Sequence, residues 1–308
     1  MLNPQDHAKL ADRIRPLFRA KLHEEALPAE LEASLSRVYL ELADWVHTHK
    51  TPCKPLLVGV NGAQGSGKST LCTFLQLILT EAYAYQVAVF SIDDIYLTHA
   101  ERERLGREIH PLLVTRGVPG THDVALGQLT LDKLIDPAGG LVAIPAFDKA
   151  VDDRRPPAEW SRVEGPVDIV LFEGWCVGAK PQAESELVEP VNTLERDEDR
   201  LGIWRAYVNR QLRGPYAELF NRFSRLVMLK VPSMDCVFQW RSLQEQKLNR
   251  KLALTESQHR IMDAAALQRF IMHYERLTRH ILAEMPSRAD LTLMLDEQHQ
   301  FVDFRSHE

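Results

Sequence analysis

The sequence predicts an α/β protein, a doubly wound, mostly parallel sheet with helices on both faces and an N-terminal helical extension. Three observations carry that expectation. Short runs of continuous apolar residues alternate with segments of helical periodicity from residue 55 onward, the pattern of strands covered on both faces. One such run, Leu56-Leu57-Val58-Gly59-Val60, leads into Gly62-Ala63-Gln64-Gly65-Ser66-Gly67-Lys68-Ser69, and a helical pattern follows over 70–79. That loop matches G-x-x-x-x-G-K-[ST] in its strand-loop-helix context, which makes the expected sheet P-loop NTPase-type. Charged residues also stand just after several apolar runs, where ligands sit in open parallel sheets.

The elements follow in order. Leu10, Ile14, Leu17 and Phe18 have helical spacing, and so do Leu31, Leu35, Val38, Tyr39 and Leu42, so residues 1–50 are expected to form helices packed on the core as an extension. Residues 51–308 are expected to be the nucleotide-binding domain. A second strand over 86–92 ends at Asp93-Asp94, and a helix over 122–135 is stopped by Pro137-Ala138-Gly139-Gly140. A short strand covers 141–145, and a long buried one, 167–172, ends at Glu173. Two more cover 225–231 and 291–295. Residues 149–166 carry Lys149, Arg154, Arg155 and Arg162 among Pro and Gly and read as a mobile or ligand-ordered loop. Residues 179–200, rich in Glu, Asp and Pro without periodicity, read as an exposed insertion. No repeat or linker divides the chain.

Composition narrows the classes. With 308 residues, 45% hydrophobic and 26% charged, the chain is ordinary for a soluble globular protein. A net charge of −6 argues against a general nucleic-acid or anionic-membrane surface, while a local basic pocket suffices for a small anionic substrate. The four cysteines, Cys53, Cys72, Cys176 and Cys236, are scattered without a C-x-x-C pair, so reduced thiols are the default. No segment approaches the roughly 18 apolar residues of a membrane span. Asp6, Lys9, Asp12, Arg13 and Arg15 precede any long apolar run, unlike a secretory signal. A cytoplasmic protein acting on a small molecule is expected, with neither nucleic acid nor membrane as partner.

The loop residues Gly62, Ala63, Gln64, Gly65, Ser66, Gly67, Lys68, Ser69 and Thr70 are the expected nucleoside-triphosphate site. Backbone N–H groups curl around phosphate oxygens at a helix N-terminus. Lys68 reaches the β- and γ-phosphates, and Ser69 holds Mg²⁺. Glu173, at the end of its strand, is the expected carboxylate for the Mg²⁺ shell or its waters. The alternative for Glu173 is a helix cap. The N-K-x-D sequence that would read guanine is absent. Asp93-Asp94 places a carboxylate opposite the γ-phosphate, where it accepts the proton of a substrate hydroxyl. Asp is also a favoured helix cap, and one of the two can cap while the other works.

At this point the chain resembles a family. The loop motif, then Ser91-Ile92-Asp93-Asp94-Ile95-Tyr96, Arg116-Gly117-Val118-Pro119-Gly120-Thr121-His122-Asp123, Phe147-Asp148-Lys149 and Leu171-Phe172-Glu173-Gly174-Trp175 look like the D-glycerate 3-kinase family. That family belongs with the uridine kinase, phosphoribulokinase and bacterial pantothenate kinase group. Gln239-Trp240-Arg241-Ser242-Leu243-Gln244-Glu245 and His273-Tyr274-Glu275-Arg276-Leu277-Thr278-Arg279 also resemble it. The match runs from about 55 to 296. It departs from the family pattern at Ile95, where Phe is usual, and at Phe147, where Tyr is usual. The resemblance implies ATP-dependent phosphorylation of D-glycerate to 3-phosphoglycerate, with Asp93 matching the residue that related kinases use as base and Asp94 as the neighbouring alternative. It also brings Asp123 and Asp148, inside the matching motifs, among the candidates for the substrate site.

A glycerate carboxylate needs a cationic or N–H-rich pocket, for which Arg116, His122, Lys149 and Arg276 are candidates, helped by backbone donors of the 117–120 turn. Arg276 read blandly is a solvated charge beside the Glu275/Arg279 pair on a helix. His122 read blandly merely starts a helix. Arg154, Arg155 and Arg241 are candidate lid residues over the transferring phosphoryl. The bland readings are a solvated loop and, for Arg241, a pair with Glu245. Other acceptors such as pantothenate or a nucleoside are the next alternatives, then an ATP-binding regulatory protein. The Asp93-Asp94 pair favours a kinase.

Overall fold

A computed structural model describes residues 4–252 and 264–307 of the chain. Two helices come first, α1 (Pro4–Glu24) and α2 (Leu40–His49), joined through one 3-10 and one π turn over Ala29–Ser34 and Leu35–Tyr39. Strand β1 (Leu56–Gly62) runs into the phosphate loop and α3 (Lys68–Tyr83), which returns to β2 (Val87–Ser91). Helices α4 (His99–Glu108) and α5 (Val124–Ile135) follow, then the short strands β3 (Gly140–Ile144), β4 (Phe147–Asp148), β5 (Asp153–Arg154) and β6 (Ser161–Gly165). After β7 (Ile169–Gly174) come α6 (Thr193–Glu198), α7 (Ile203–Arg213), α8 (Pro215–Phe220) and β8 (Arg225–Lys230). Helices α9 (Met234–Leu252) and α10 (Ala264–Glu284) precede β9 (Leu291–Leu295) and β10 (Phe301–Ser306).

The main sheet has the order β10-β9-β8-β1-β7-β2. Every pairing in it is parallel except that of the edge strand β10 with β9. Parallel strands are buried on both faces, and β1 and β7 are buried along their whole length. One face receives α1, α2 and α3 through Ile14, Phe18, Leu42, Phe74 and Ile78. The other receives α5, α8 and α10 through Leu131, Tyr216, Leu219 and Leu277. Because β1, β2 and β7 all run the same way, their carboxyl ends deliver the phosphate loop, Asp93-Asp94 and Glu173 to one edge of the sheet.

Three expectations need correction. The strand expected over 141–145 does not join the main sheet; it is β3, pairing antiparallel with β6. The segment 149–166 is not an open loop but holds β5 and β6, with β4 and β5 forming a second hairpin. The acidic segment 179–200 is a folded insertion, carrying α6 and burying Leu194, Glu195 and Asp199. Strand β10 is not expected, because its half-buried and exposed residues leave no continuous apolar run.

Candidate active site

The phosphate loop forms because two of its glycines take a backbone shape that other residues avoid. Gly65 and Gly67 have φ of +80° and +88°, the left-handed region where a Cβ is strained. Gly67 caps the start of α3, so the unpaired N–H groups of the first helical turn face the loop. The loop is tied to its surroundings on two sides. Asn61 donates to the carbonyls of Trp175 and Val177 at 3.1 and 2.8 Å, which fixes β1 to the turn after β7. On the far side, His299 Nε2 lies 2.7 Å from the Gly65 carbonyl and its ring stacks on Trp240 at 3.5 Å.

Glu173 and Ser69 stand together. The Ser69 hydroxyl donates to Glu173 Oε1 at 2.8 Å, and Lys68 Nζ is 3.9 Å from Oε2. Glu173 is buried, yet Oε2 has no hydrogen-bond partner. A buried carboxylate oxygen left without a donor is costly. The pair of a serine hydroxyl and an under-satisfied carboxylate is a donor set of the hard-oxygen kind that suits Mg²⁺.

Asp93 and Asp94 divide their work. Ser91 caps the short 3-10 turn after β2, and the Asp94 carboxylate accepts from the Ser91 N–H at 3.2 Å. Asp94 thus completes the capping box of this turn. Burial and then the charge of Asp93 push it up to about 7. Asp93 points the other way, to Lys149 Nζ at 2.5 Å from Oδ2 and the Tyr96 hydroxyl at 2.9 Å from Oδ1. Burial raises its pKa, but Lys149 and Lys68 prevail and hold it well below the usual carboxylate range.

His122 lies beside this group. Its ring stacks on Tyr96 at 4.5 Å, and Nδ1 is 2.6 Å from the Tyr216 hydroxyl. That hydroxyl also accepts from the Gly120 N–H at 2.9 Å, and the direction of its bond with Nδ1 follows the imidazole tautomer. Burial pushes His122 down to about 3, so it is neutral near pH 7. Its buried Nε2 has no partner. The 117–120 turn is held by its own contacts: Trp175 donates to the Gly117 carbonyl at 2.9 Å and Tyr274 to the Arg116 carbonyl at 3.0 Å. A Cβ on Gly117 would lie 2.0 Å from the Tyr274 hydroxyl, at φ +133°, so only glycine fits there.

Several expected site residues are occupied elsewhere. Arg276, expected in the substrate pocket or on a solvated face, is in neither place. It is buried and makes a bidentate pair with Glu195 at 2.7 Å on both arms, and it also donates to the Glu186 and Glu189 carbonyls. Asp123 caps α5 by accepting from the Leu126 N–H and pairs with Arg154 at 3.2 Å. Arg154, expected as a lid, instead donates to the Tyr96 carbonyl at 2.9 Å. Arg116 pairs with Asp152, to which the fully buried Arg102 also binds. Asp148 pairs with Arg155 at 3.1 Å and accepts from the Ala150 N–H. Arg241 lies 5.9 Å from the Phe270 ring, and the side chain of Glu245 lies outside the described residues. Sequence reasoning missed Tyr96, Tyr216, Asp152 and His299, whose partners lie far along the chain or turn on geometry.

No known family model matches the chain. It is similar to Uncharacterized kinase mug58 of Schizosaccharomyces pombe, 33% identical over 229 residues that cover 72% of this chain and 79% of that protein. It is also similar to the chloroplastic D-glycerate 3-kinase of Arabidopsis thaliana, 28% identical across 90% of this chain, and it spans 63% of that protein's length. Among solved structures it is similar to D-glycerate 3-kinase from Cryptococcus neoformans, 26% identical, with 87% of this chain and 98% of that one covered at a TM-score of 0.70. No described helix is long and apolar enough to cross a membrane.

Proposed function

We propose, from the premise that this chain belongs to the D-glycerate 3-kinase family of P-loop kinases, that it transfers the γ-phosphoryl group of ATP to D-glycerate, giving 3-phosphoglycerate. A phosphotransferase of the glycerate kinase and uridine kinase group needs a base for the acceptor hydroxyl and a cation for whatever charge the acceptor carries. The observation that carries the glycerate reading is Lys149, whose ammonium stands 2.5 Å from Asp93. An acid held by Lys149 has its hydroxyl beside a carboxylate.

Each residue then has a task. The amides of 62–70 and Lys68 bind phosphate oxygens. Ser69 and Glu173 would hold Mg²⁺, which when bound neutralises charge on the β- and γ-phosphates. Asp93 accepts the proton of the terminal hydroxyl as that oxygen bonds to phosphorus and the bond to the ADP oxygen breaks. Lys149 takes the acceptor carboxylate, and the ring of His122, neutral and with Nε2 facing no protein partner, offers a polar contact without bringing another charge. Arg102 and Arg116, fixed on Asp152, hold the hairpin that presents Lys149.

Incubation with ATP, Mg²⁺ and a panel of D-glycerate, L-glycerate, glycerol, pantothenate and uridine tests this reading. ADP release that depends on D-glycerate, with 3-phosphoglycerate as product, is expected. Efficient turnover of pantothenate or uridine with D-glycerate ignored would overturn the substrate assignment.

A further inference from the structure

Both carboxylate oxygens of Asp93 are engaged, by partners held in different ways. The Tyr96 hydroxyl on Oδ1 is fixed, because its ring is buried between His122 and Phe147 at 4.5 and 5.1 Å. Lys149, on Oδ2, is the reverse. Its side chain is 59% exposed and reaches in from the turn between β4 and β5. That hairpin is itself anchored, since Arg102 donates to the Val114 and Asp152 carbonyls at 2.7 Å each and Arg154 to the Tyr96 carbonyl. The ammonium can therefore leave Asp93 by rotation of its own flexible stem while the backbone stays in place.

We propose that Lys149 is a latch on the base: without an acceptor its ammonium occupies the Asp93 oxygen that receives the proton, and the carboxylate of an incoming acid draws it off and frees that oxygen. The inference deepens the kinase reading above and rests on it. Acceptor charge is then read twice, once in binding and once in releasing the base. ATP bound alone meets an engaged carboxylate, so water is a poor substitute for the acceptor. A neutral alcohol of the same shape leaves the latch shut. The remaining charges facing Asp93 fit this arrangement. Lys68 is the other cation that holds Asp93 down, and Asp94 is the acid that feels both Asp93 and Lys149. The Lys149 end of the pair is open to solvent, so the carboxylate of an incoming acid can reach the ammonium where it stands.

The test uses the full chain with ATP and Mg²⁺ and measures ADP release without any acceptor for wild type, Lys149→Met and Lys149→Arg. Methionine keeps the stem and removes the charge, so acceptor-independent hydrolysis should rise about 3- to 10-fold, the scale of releasing a partly exposed ion pair. Arginine keeps the charge with a different geometry, so its acceptor-independent rate should stay below that of Lys149→Met. In parallel, the ratio of kcat/KM for D-glycerate over glycerol should fall about 10- to 100-fold in Lys149→Met, by the loss of a charge-assisted contact. Calorimetric ATP binding should be unchanged in all three, which shows that the variants fold. Hydrolysis in Lys149→Met at or below the wild-type rate overturns the latch. A wild-type enzyme that prefers a nucleoside overturns the glycerate reading instead, and the acceptor-free comparison still decides the latch.

Discussion

Asp94 works against the fold it caps. Its carboxylate satisfies the Ser91 N–H, yet burial and the neighbouring charge of Asp93 raise its pKa from 3.8 to about 7. Between those values the native state holds a proton that the unfolded chain has released, so stability falls as pH rises through the window. Asp94→Asn keeps an acceptor for Ser91 and removes the charge. Its Tm should equal that of wild type near pH 4 and exceed it above pH 7. The gain is about 1 kcal/mol once solvent screening of a partly exposed group is allowed for, or about 2 °C in a protein of this size. Tm measured across pH 4–8 checks this, and parallel curves for the two proteins contradict it. The motif at 91–94 made both aspartates visible in the sequence. Which one caps and which faces Lys149 is decided by rotamers and by a lysine 56 residues away, and no local pattern encodes that.

At the scale of elements, the same distinction separates what could be read from what could not. The strands β1, β2, β7, β8 and β9 were legible because parallel strands buried on both faces are continuous apolar runs. The two-residue strands β4 and β5 and the half-exposed β6 and β10 carry no such run. On α10 the Glu275 and Arg279 side chains pair within one turn at 2.6 Å, as i, i+4 spacing indicates. Arg276, one residue on from Glu275, instead binds Glu195, 81 residues away. That pair, with the carbonyls of Glu186 and Glu189, fastens the 184–198 insertion to α10. Arg276→Ala would leave Glu195 buried and unpaired, a loss of about 3–5 kcal/mol. The expected result is a lower Tm and faster proteolytic cleavage near 180–200, with KM for ATP and for the acceptor within a few-fold of wild type at temperatures where the variant is folded. A large rise in acceptor KM without loss of Tm would return Arg276 to the substrate site.

Across the whole molecule, the sheet and the first two helices share one core. The amphipathic spacing over 1–50 was legible as helix, and its place was expected to be an extension of the kinase domain. The packing binds it more closely than that. Phe18 and Tyr39 close on Phe74 of the helix that carries Lys68, with ring centroids 4.2 and 5.5 Å from it. Ile14, Phe18, Leu35 and Leu42 are fully buried in the same cluster as Leu71, Phe74, Leu75 and Ile78. Truncating one such aromatic to alanine costs about 3–5 kcal/mol, against a total stability of about 5–15 kcal/mol for a typical protein. Removing residues 1–50 strips many such contacts at once and exposes the outer face of α3, so the phosphate loop would lose the packing that fixes its first helical turn. A 51–308 fragment should therefore be insoluble, or soluble with no cooperative thermal transition and no measurable ATP binding. Near-UV circular dichroism and calorimetry with ATP decide between the cases. A fragment that melts cooperatively and binds ATP would make the N-terminal helices a separable extension after all, because their burial against Phe74 would then be dispensable to the site.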